Sequence, residues 1–154
     1  MLTSIRNGRF FMDRLREFEA AGAPCSIFYL DLNCFKQIND NYGHDEGDKI
    51  LIEVAKRIES CIRDTDIAAR IGGDEFTVTV GTEETEEYCT ALQERLKQSV
   101  AQPYTINEKV FYPSISIGFA RYPFDADQIE KVMRIADQRM YEEKRRFKRD
   151  SGRE

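Results

Sequence analysis

The spacing of apolar residues changes along the chain, and each spacing predicts a different element. Near the start, Phe11, Leu15 and Phe18 recur at the i, i+4 and i+7 positions of one helical face, which predicts a helix over 7–21. The segment CSIFYLDL follows as an almost continuous apolar run, which is typical of a buried strand. This predicted strand ends in a carboxylate, Asp31.

The middle of the chain combines a polar segment with short β-prone runs. The segment NDNYGHDEGD contains two glycines and predicts a loop that leads into a second helix, whose apolar spacing continues to about Cys61. The runs DIAARI and FTVTVG then flank the stretch RIGGDEF. The glycines and carboxylates of this stretch are therefore predicted at or near the tip of a β-hairpin.

The last third of the chain predicts two further helices and a strand. The acidic segment TEETEEYC suits the first turn of a helix, because negative charge there complements the helix dipole. A weak strand is predicted around 108–111, and the alternation in SISIGFA predicts a stronger one. A final helix is predicted from about Asp127 into the basic tail EKRRFKR.

The order of these elements is α, β, α, β-hairpin, α, β, α. It predicts an α+β fold of the ferredoxin-like or polymerase-palm kind, in which helices pack on one or both faces of a sheet that contains antiparallel strands. No repeat, low-complexity tract or linker interrupts the sequence. We therefore expect residues 1–154 to form one domain, a usual size for a single core.

Composition excludes several classes of function. The net charge of −5 and the pI near 5.1 do not favour nucleic acid or anionic lipid as a partner. The four cysteines stand far apart and the chain has one histidine, so a zinc site is not expected. Since no apolar run is long enough to span a bilayer, we expect a cytoplasmic domain with no membrane insertion, although a longer parent protein could be tethered.

Candidate chemistry lies at the two predicted strand ends. Asp31 ends one strand, while Asp74 and Glu75 follow Gly72 and Gly73, which carry no side chain to block a ligand. Mg²⁺ prefers such oxygen ligands, and paired metals support phosphoryl transfer. A solvated hairpin turn, with Asp31 capping the next loop, explains the same spacing equally well.

Five ordered blocks favour the first interpretation: DLNCFKQINDNYGHDEGD, RDTD, RIGGDEF, SISIGFA and ADQRMYEEK. Together they closely resemble the GGDEF family, the diguanylate cyclases that condense two GTP molecules into cyclic di-GMP. The resemblance runs from about Leu2 to Lys148. A match to five letters alone is weak, whereas five blocks at compatible spacings are specific.

The resemblance implies a set of metal ligands and a base. Asp31, Asp74 and the main-chain carbonyl of Leu32 match the family's metal ligands, and the metal is expected to be Mg²⁺ or Mn²⁺, two ions per site. Asp74 also matches the residue that deprotonates the attacking 3′-hydroxyl. Glu75 is a further candidate for the second metal or for the neighbouring nucleotide.

The resemblance also implies substrate contacts. Lys36 matches a lysine that stabilises the triphosphate during transfer, with a solvated lysine as the alternative. Asn39 and Asp48 match the residues that recognise guanine, and the acceptor set of Asp48 favours GTP over ATP. His44 matches a position near the substrate but could equally cap a helix, and Phe35 matches a wall of the base pocket or a core position.

The remaining matches are two glycines, two lysines and an RxxD motif. Gly72 and Gly73 match substrate-binding positions. Lys144 aligns with a triphosphate-binding lysine, and Lys148 stands where the family has arginine, so that bidentate binding of phosphate is lost. Arg63 and Asp66 have the spacing of the family's inhibitory site for the cyclic di-GMP product.

Some positions depart from the family pattern. Ser4 and Gly8 replace a glycine and an arginine of the opening motif, and Asn33 stands where a second aspartate is frequent. The aspartate that usually precedes the opening motif is absent, so we expect a domain cut from a longer sensor protein.

The expected activity depends on a partner copy. Two GTP-loaded domains meet as a homodimer, which an N-terminal sensory segment usually imposes, so weak turnover is expected of the chain alone. The alternative is a domain of low turnover that acts as a cyclic di-GMP receptor or a GTP sensor. A cyclase acting on ATP is a remoter option, which Asp48 disfavours.

Overall fold

The computed structural model describes residues 5–151, so Leu2 and Ser4 of the opening motif lie outside the described residues. It contains five helices, a five-stranded mixed sheet and a separate two-stranded hairpin within that range. In chain order the elements are β1 (Arg6–Asn7), α1 (Gly8–Ala21), β2 (Cys25–Leu32), α2 (Phe35–Tyr42), α3 (His44–Glu59), β3 (Ile67–Arg70), β4 (Glu75–Val80), α4 (Glu86–Val100), β5 (Tyr104–Ile106), β6 (Lys109–Phe111), β7 (Ile115–Tyr122) and α5 (Ile129–Ser151). The predicted α+β fold is confirmed.

The sheet places β2 between two antiparallel neighbours. Its strand order is β1-β3-β4-β2-β7, and β1 runs parallel to β3. In register, Asp31 lies opposite Glu75 of β4 on one side and Ser116 of β7 on the other. The carboxylate that ends β2 therefore lies directly beside the start of the strand that follows the two glycines.

Both faces of the sheet are covered, which explains the almost continuous apolar run of β2. Phe28, Leu30 and Leu32 belong to the core beneath α2, α3 and α4. Ile27 and Tyr29 belong to the core beneath α1 and α5. Because successive side chains of a strand point to opposite faces, a strand buried on both sides must be apolar at nearly every position.

A glycine in β7 allows α5 to lie close against the sheet. A Cβ atom on Gly118 would stand 2.6 Å from the carbonyl oxygen of Ala136 and closer still to the backbone nitrogen of Met140. This approach directs the last turns of α5 past the end of β2. The packing thereby brings Lys144 to Asp31.

The polar segment after β2 is helical, so the loop predicted at the start of NDNYGHDEGD is wrong, whereas the helix start predicted within it is confirmed by α3. Helix α2 continues through Tyr42, and α3 begins at His44, with Gly43 between them at a φ of 90°. The apolar residues Phe35 and Ile38 lie three positions apart and pack on the core, a spacing hidden by the polar residues around them. Glycine is suited to the positive φ that separates the two helices.

Two short elements were not predicted. Strand β1 has two residues, too few for a period to be detected. The strand predicted around 108–111 is β6, which pairs with the unpredicted β5 across a turn in which Asn107 and Glu108 have φ values of 49° and 69°. Among the described helices, no segment has the length and apolar character needed to cross a membrane.

Candidate active site

The two glycines lie in the turn between β3 and β4, as predicted. The N–H groups of Ile71 and Gly72 donate to the carbonyl oxygen of Glu75 at 3.0 and 3.4 Å. The guanidinium of Arg70 donates to the carbonyl oxygens of Gly72 at 3.1 Å and Gly73 at 2.8 Å. Arg70, which was not identified from the sequence, therefore holds the turn from one side.

Neither glycine is required by the fold of the turn itself. Gly72 and Gly73 are not among the residues with positive φ. A Cβ atom on Gly73 would meet nothing within 4 Å, and one on Gly72 would stand in ordinary contact with Glu75, 3.4 Å from its Oε1. The turn therefore leaves open space over its backbone that protein packing does not fill.

The predicted carboxylates converge at this turn. The N–H of Leu32 donates to the carbonyl oxygen of Asp74 at 3.0 Å, which joins the end of β2 to the turn. Burial raises the pKa of Asp31 to about 6; Lys144 opposes this rise, while the neighbouring Asp74 adds to it. This effect of Asp74 on the pKa of Asp31 requires the two carboxyl groups to lie close together.

A lysine from α5 completes the cluster. The Nζ of Lys144 lies 3.0 Å from Oδ2 of Asp31 and donates to the carbonyl oxygen of Leu32 at 3.3 Å. The side chains of Lys144 and Asp31 are only 17% and 15% exposed. The other carboxylate oxygen of Asp31, Oδ1, is buried and has no hydrogen-bond partner in the part of the chain that the structure describes.

A cavity of about 230 Å³ opens beside this cluster. It gathers six residues that were predicted for the site: Leu32, Phe35, Lys36, Asp74, Lys144 and Lys148. Asn33, Cys34, Gln37 and Phe147 complete its lining. Three lysines and one carboxylate thus face a space at the ends of β2 and α5, a charge distribution suited to a polyanion with a metal ion.

Glu75 lies to one side of this cavity and does not line it. Its pKa is raised by burial, then by the charges of Asp74 and Asp137. Asp137 and Glu75 also help burial to raise the pKa of Tyr29 to about 12. The group around Glu75 therefore faces α5, on the sheet face opposite to α2.

The residues predicted to recognise guanine lie on α2, which replaces the predicted loop, and on the predicted helix α3. Asn39 is on α2 and the exposed Asp48 is on α3. The Oδ1 of Asn39 is buried without a hydrogen-bond partner, and a Cβ atom on Gly47 would collide with it. Gly47 therefore leaves the room in which this amide lies.

His44 is exposed at the first position of α3. The N-cap of the helix is Gly43, and no side chain makes a capping hydrogen bond there. The alternative prediction that His44 caps the helix is therefore wrong, because the capping position precedes it and carries no side chain.

Arg63 and Asp66 are brought together, but they bind each other. Asp66 accepts from the backbone N–H of Arg63 at 3.0 Å and from its Nε and Nη2 at 3.2 and 3.3 Å. The guanidinium also donates to Glu84 at 3.0 Å and to Thr82 at 3.1 Å, and it lies over the ring of Tyr88. Two carboxylates raise the pKa of Arg63, and Arg63 lowers that of Glu84.

The arrangement fits a hard divalent cation. Asp31, Asp74 and the carbonyl of Leu32 offer only oxygen, which Mg²⁺ and Mn²⁺ prefer. The ammonium of Lys144 contacts Asp31 and the Leu32 carbonyl, while Oδ1 of Asp31 has no hydrogen-bond partner among the described residues. Over 5–151, no group of three or more His, Cys, Asp or Glu side chains is placed to hold a metal, so other oxygens are needed to fill a shell.

Sequence reasoning missed three contributors to these sites. Arg70 directly precedes the glycine turn, and its place in RIGGDEF was an available signal. Phe147 lies three residues after Lys144, on the same helical face. Glu84 had no signal, because it lies 21 residues from Arg63 and reaches it only in the folded chain.

Comparison with known proteins gives relatives over most of the chain. It is 41% identical over 120 residues to Diguanylate cyclase A of Treponema denticola, covering 77% of this chain and 32% of that protein. It is 33% identical over 147 residues to the cyclic di-GMP phosphodiesterase NbdA of Pseudomonas aeruginosa, covering 93% of this chain and 19% of that protein. The chain thus spans a third or less of the length of these two relatives.

Solved structures agree in fold. The GGDEF domain of TpbB, also called YfiN, from Pseudomonas aeruginosa superposes with a TM-score of 0.85 at 32% identity, covering 93% of this chain and 92% of that one. The GGDEF domain of DgcB from Caulobacter crescentus, solved in complex with c-di-GMP, gives 0.83 at 27% identity, covering 99% and 90%. The family described as diguanylate cyclase, GGDEF domain, matches residues 1–150. With this match over nearly its whole length, the chain belongs to the GGDEF family.

Proposed function

We propose that this chain is the catalytic domain of a diguanylate cyclase, which condenses two GTP molecules into cyclic di-GMP and releases two pyrophosphates. The observation that carries the proposal is the convergence of Asp31, Asp74 and the Leu32 carbonyl beside a lysine-lined cavity. The name of the Treponema denticola relative supports the same reaction. The open space over Gly73 leaves room for a phosphate chain near the turn.

Each group has a defined part in the transfer. The 3′-hydroxyl of one GTP attacks the α-phosphorus of the other, the bond to the bridging oxygen of the β-phosphate breaks, and pyrophosphate leaves. Asp74 accepts the hydroxyl proton, while Lys36, Lys144 and Lys148 neutralise the triphosphate. Asp31, Asp74, the Leu32 carbonyl and Glu75 would hold Mg²⁺ or Mn²⁺, which would supply Lewis-acid stabilisation of the phosphate charge.

The base pocket lies at α2 and α3. Asn39 and Asp48 recognise guanine, Phe35 forms a wall and His44 lies near the substrate. The unpaired Oδ1 of Asn39 supports this assignment, because a buried acceptor without a partner is costly until a donor such as the exocyclic amine of guanine arrives. Adenine lacks that amine, so the site selects GTP over ATP.

The active assembly is a homodimer, since each domain contributes one GTP and one set of catalytic groups. Residues 1–154 act as one cytoplasmic catalytic domain of a longer protein, in which an N-terminal sensory segment brings two copies together. Product binds at Arg63 and Asp66 and restrains the enzyme. The exposed edge of Arg63, whose side chain is 41% accessible, supports this role, because it is open to a phosphate.

A product assay tests the proposal. The chain, fused at its N-terminus to a dimeric coiled coil, is incubated with GTP and Mg²⁺, and the nucleotides are separated by chromatography. We expect cyclic di-GMP from this dimer and from the matched variant Asp13→Ala, which alters an exposed carboxylate on α1, but none from Asp74→Ala. A forced dimer that binds cyclic di-GMP without producing it would instead support the receptor function.

A further inference from the structure

Lys144 occupies the position that a metal ion is proposed to take. Its Nζ contacts Oδ2 of Asp31 at 3.0 Å and the carbonyl oxygen of Leu32 at 3.3 Å. These are two of the three groups assigned to the metal. The ammonium therefore satisfies the same oxygens that a divalent cation would bind.

The lysine reaches this position from a different element and also faces the cavity. Lys144 projects from α5, whereas Asp31 and Leu32 end β2. Its side chain is 17% exposed, in contrast to the exposed Lys36 and Lys148 that line the same cavity. Because a lysine stem is flexible, the ammonium has two possible partners within reach, the buried carboxylate and a ligand in the cavity.

The two cations cannot share the site without a cost. Burial disfavours the ionised form of Asp31, and Lys144 offsets part of that penalty. A divalent cation bound to the Leu32 carbonyl and to either oxygen of Asp31 would stand within a few ångströms of the ammonium, which contacts both groups, and would repel it. Metal binding therefore requires Lys144 to leave or to lose much of its interaction.

We propose that Lys144 is an internal counter-ion that holds the metal position in the nucleotide-free protein and moves to the triphosphate when a divalent cation binds. The inference rests on the proposed function, because it needs a metal and a triphosphate at this site. A metal alone binds weakly, since it displaces the ammonium into solvent. A triphosphate gives the displaced ammonium a new partner, so each ligand strengthens binding of the other by the same factor.

A purely structural ion pair would behave differently. If Lys144 only oriented Asp31 for the metal, its removal would leave metal affinity unchanged or reduce it. If it competes with the metal, its removal increases affinity for the metal alone. The sign of the change separates the two roles.

The test measures Mn²⁺ affinity of the full chain by electron paramagnetic resonance, without nucleotide and with a GTP analogue that has a non-reacting α,β-methylene bridge. We expect Lys144→Met to bind Mn²⁺ alone at least about fivefold more tightly than the unaltered chain, the lower end of common coupling factors. The analogue should strengthen Mn²⁺ binding less in this variant than in the unaltered chain. The matched variant Lys131→Met, at an exposed lysine of the same helix outside the cavity lining, should leave Mn²⁺ affinity without nucleotide unchanged.

Equal or weaker binding of Mn²⁺ alone by Lys144→Met overturns the inference, while binding of Mn²⁺ with the analogue still supports the proposed function. Loss of Mn²⁺ binding by every protein, even with the analogue, overturns both. A second measurement needs no variant: the rate at which an amine-acylating reagent modifies Lys144, read by mass spectrometry. Mn²⁺ should raise this rate relative to Lys148, and no rise would contradict the exchange.

Discussion

The absence of a side chain at position 73 has no conformational explanation. The backbone of Gly73 does not need glycine, and no atom of residues 5–151, apart from Gly73 and its two chain neighbours, lies within 4 Å of where its Cβ atom would be. Arg70 holds the turn through carbonyl oxygens, which an alanine at position 73 would retain. We propose that the absent side chain leaves room for a ligand that approaches the backbone.

Gly73→Ala tests this explanation. We expect its free energy of unfolding to stay within about 0.5 kcal/mol of the unaltered chain, since the new methyl group enters open space. Affinity for the GTP analogue should fall about tenfold, because the same methyl group obstructs the phosphate chain. Denaturant unfolding and calorimetric titration measure the two quantities, and unchanged affinity would show that the ligand lies elsewhere.

If Asp31 binds the metal as we propose, its raised pKa should make metal binding depend on pH. Its pKa is raised to about 6, so a proton competes with the cation as the pH falls through that value. From about pH 7.5 to about pH 5.5, the affinity for Mn²⁺ should fall about fourfold through Asp31 alone. Glu75, whose pKa is also raised, would act in the same direction. A pH-independent affinity over this range would exclude Asp31 as a ligand.

We expect Glu84 to limit how readily Arg63 binds the phosphate of a product. It lies 3.0 Å from the guanidinium, so an anionic product must compete with it. Glu84→Gln should bind cyclic di-GMP about two- to fivefold more tightly, as expected for loss of a solvent-exposed ion pair. Calorimetric titration with cyclic di-GMP measures the affinity of the variant. The control is Glu83→Gln, which alters the exposed carboxylate next to Glu84. If Glu84→Gln binds product more weakly, Glu84 supports the site instead.

At the scale of elements, the packing of α5 against β7 positions the site. Gly118 permits this contact, and a Cβ atom there would meet the backbone of α5. Gly118→Ala should lower the free energy of unfolding by about 1–3 kcal/mol or more, because the backbone cannot yield as a flexible side chain can. Thermal unfolding measures the effect, and Gly73→Ala is the matched control. A variant as stable as the control would show that α5 does not lie so close.

An element could be predicted from the sequence where its pattern of apolar residues covers enough positions to be recognised. Strand β2 was predicted because burial on both faces leaves an apolar run. Helix α2 was missed because its few apolar positions lie among polar ones, and β1 is too short to have a period. Within the site, the carboxylates and glycines were predicted from local motifs. The contact between Lys144 and Leu32 joins residues 112 apart, so only the folded chain shows it.

At the scale of the whole molecule, the two groups of residues with a proposed function lie at separate positions around the sheet. The ends of β2 and α5 hold the proposed catalytic groups, while Arg63 and Asp66 lie between α3 and β3. Each of the two groups holds an arginine or lysine against carboxylates in the nucleotide-free protein. In both, an internal ion pair lies where we propose that a ligand binds, so we expect binding at either site to exchange one ionic partner for another.

The central claim is that oxygens from β2 and from the glycine turn bind divalent cations against a guanosine triphosphate. The most direct test is a crystal structure of the chain with Mn²⁺ and the α,β-methylene GTP analogue, with the metal located by its anomalous scattering. We predict a Mn²⁺ peak that is bound by Asp31, Asp74 and the Leu32 carbonyl and shares phosphate oxygens of the analogue. A fully bound analogue whose phosphates lie away from the turn, with no peak between Asp31 and Asp74, would contradict the account.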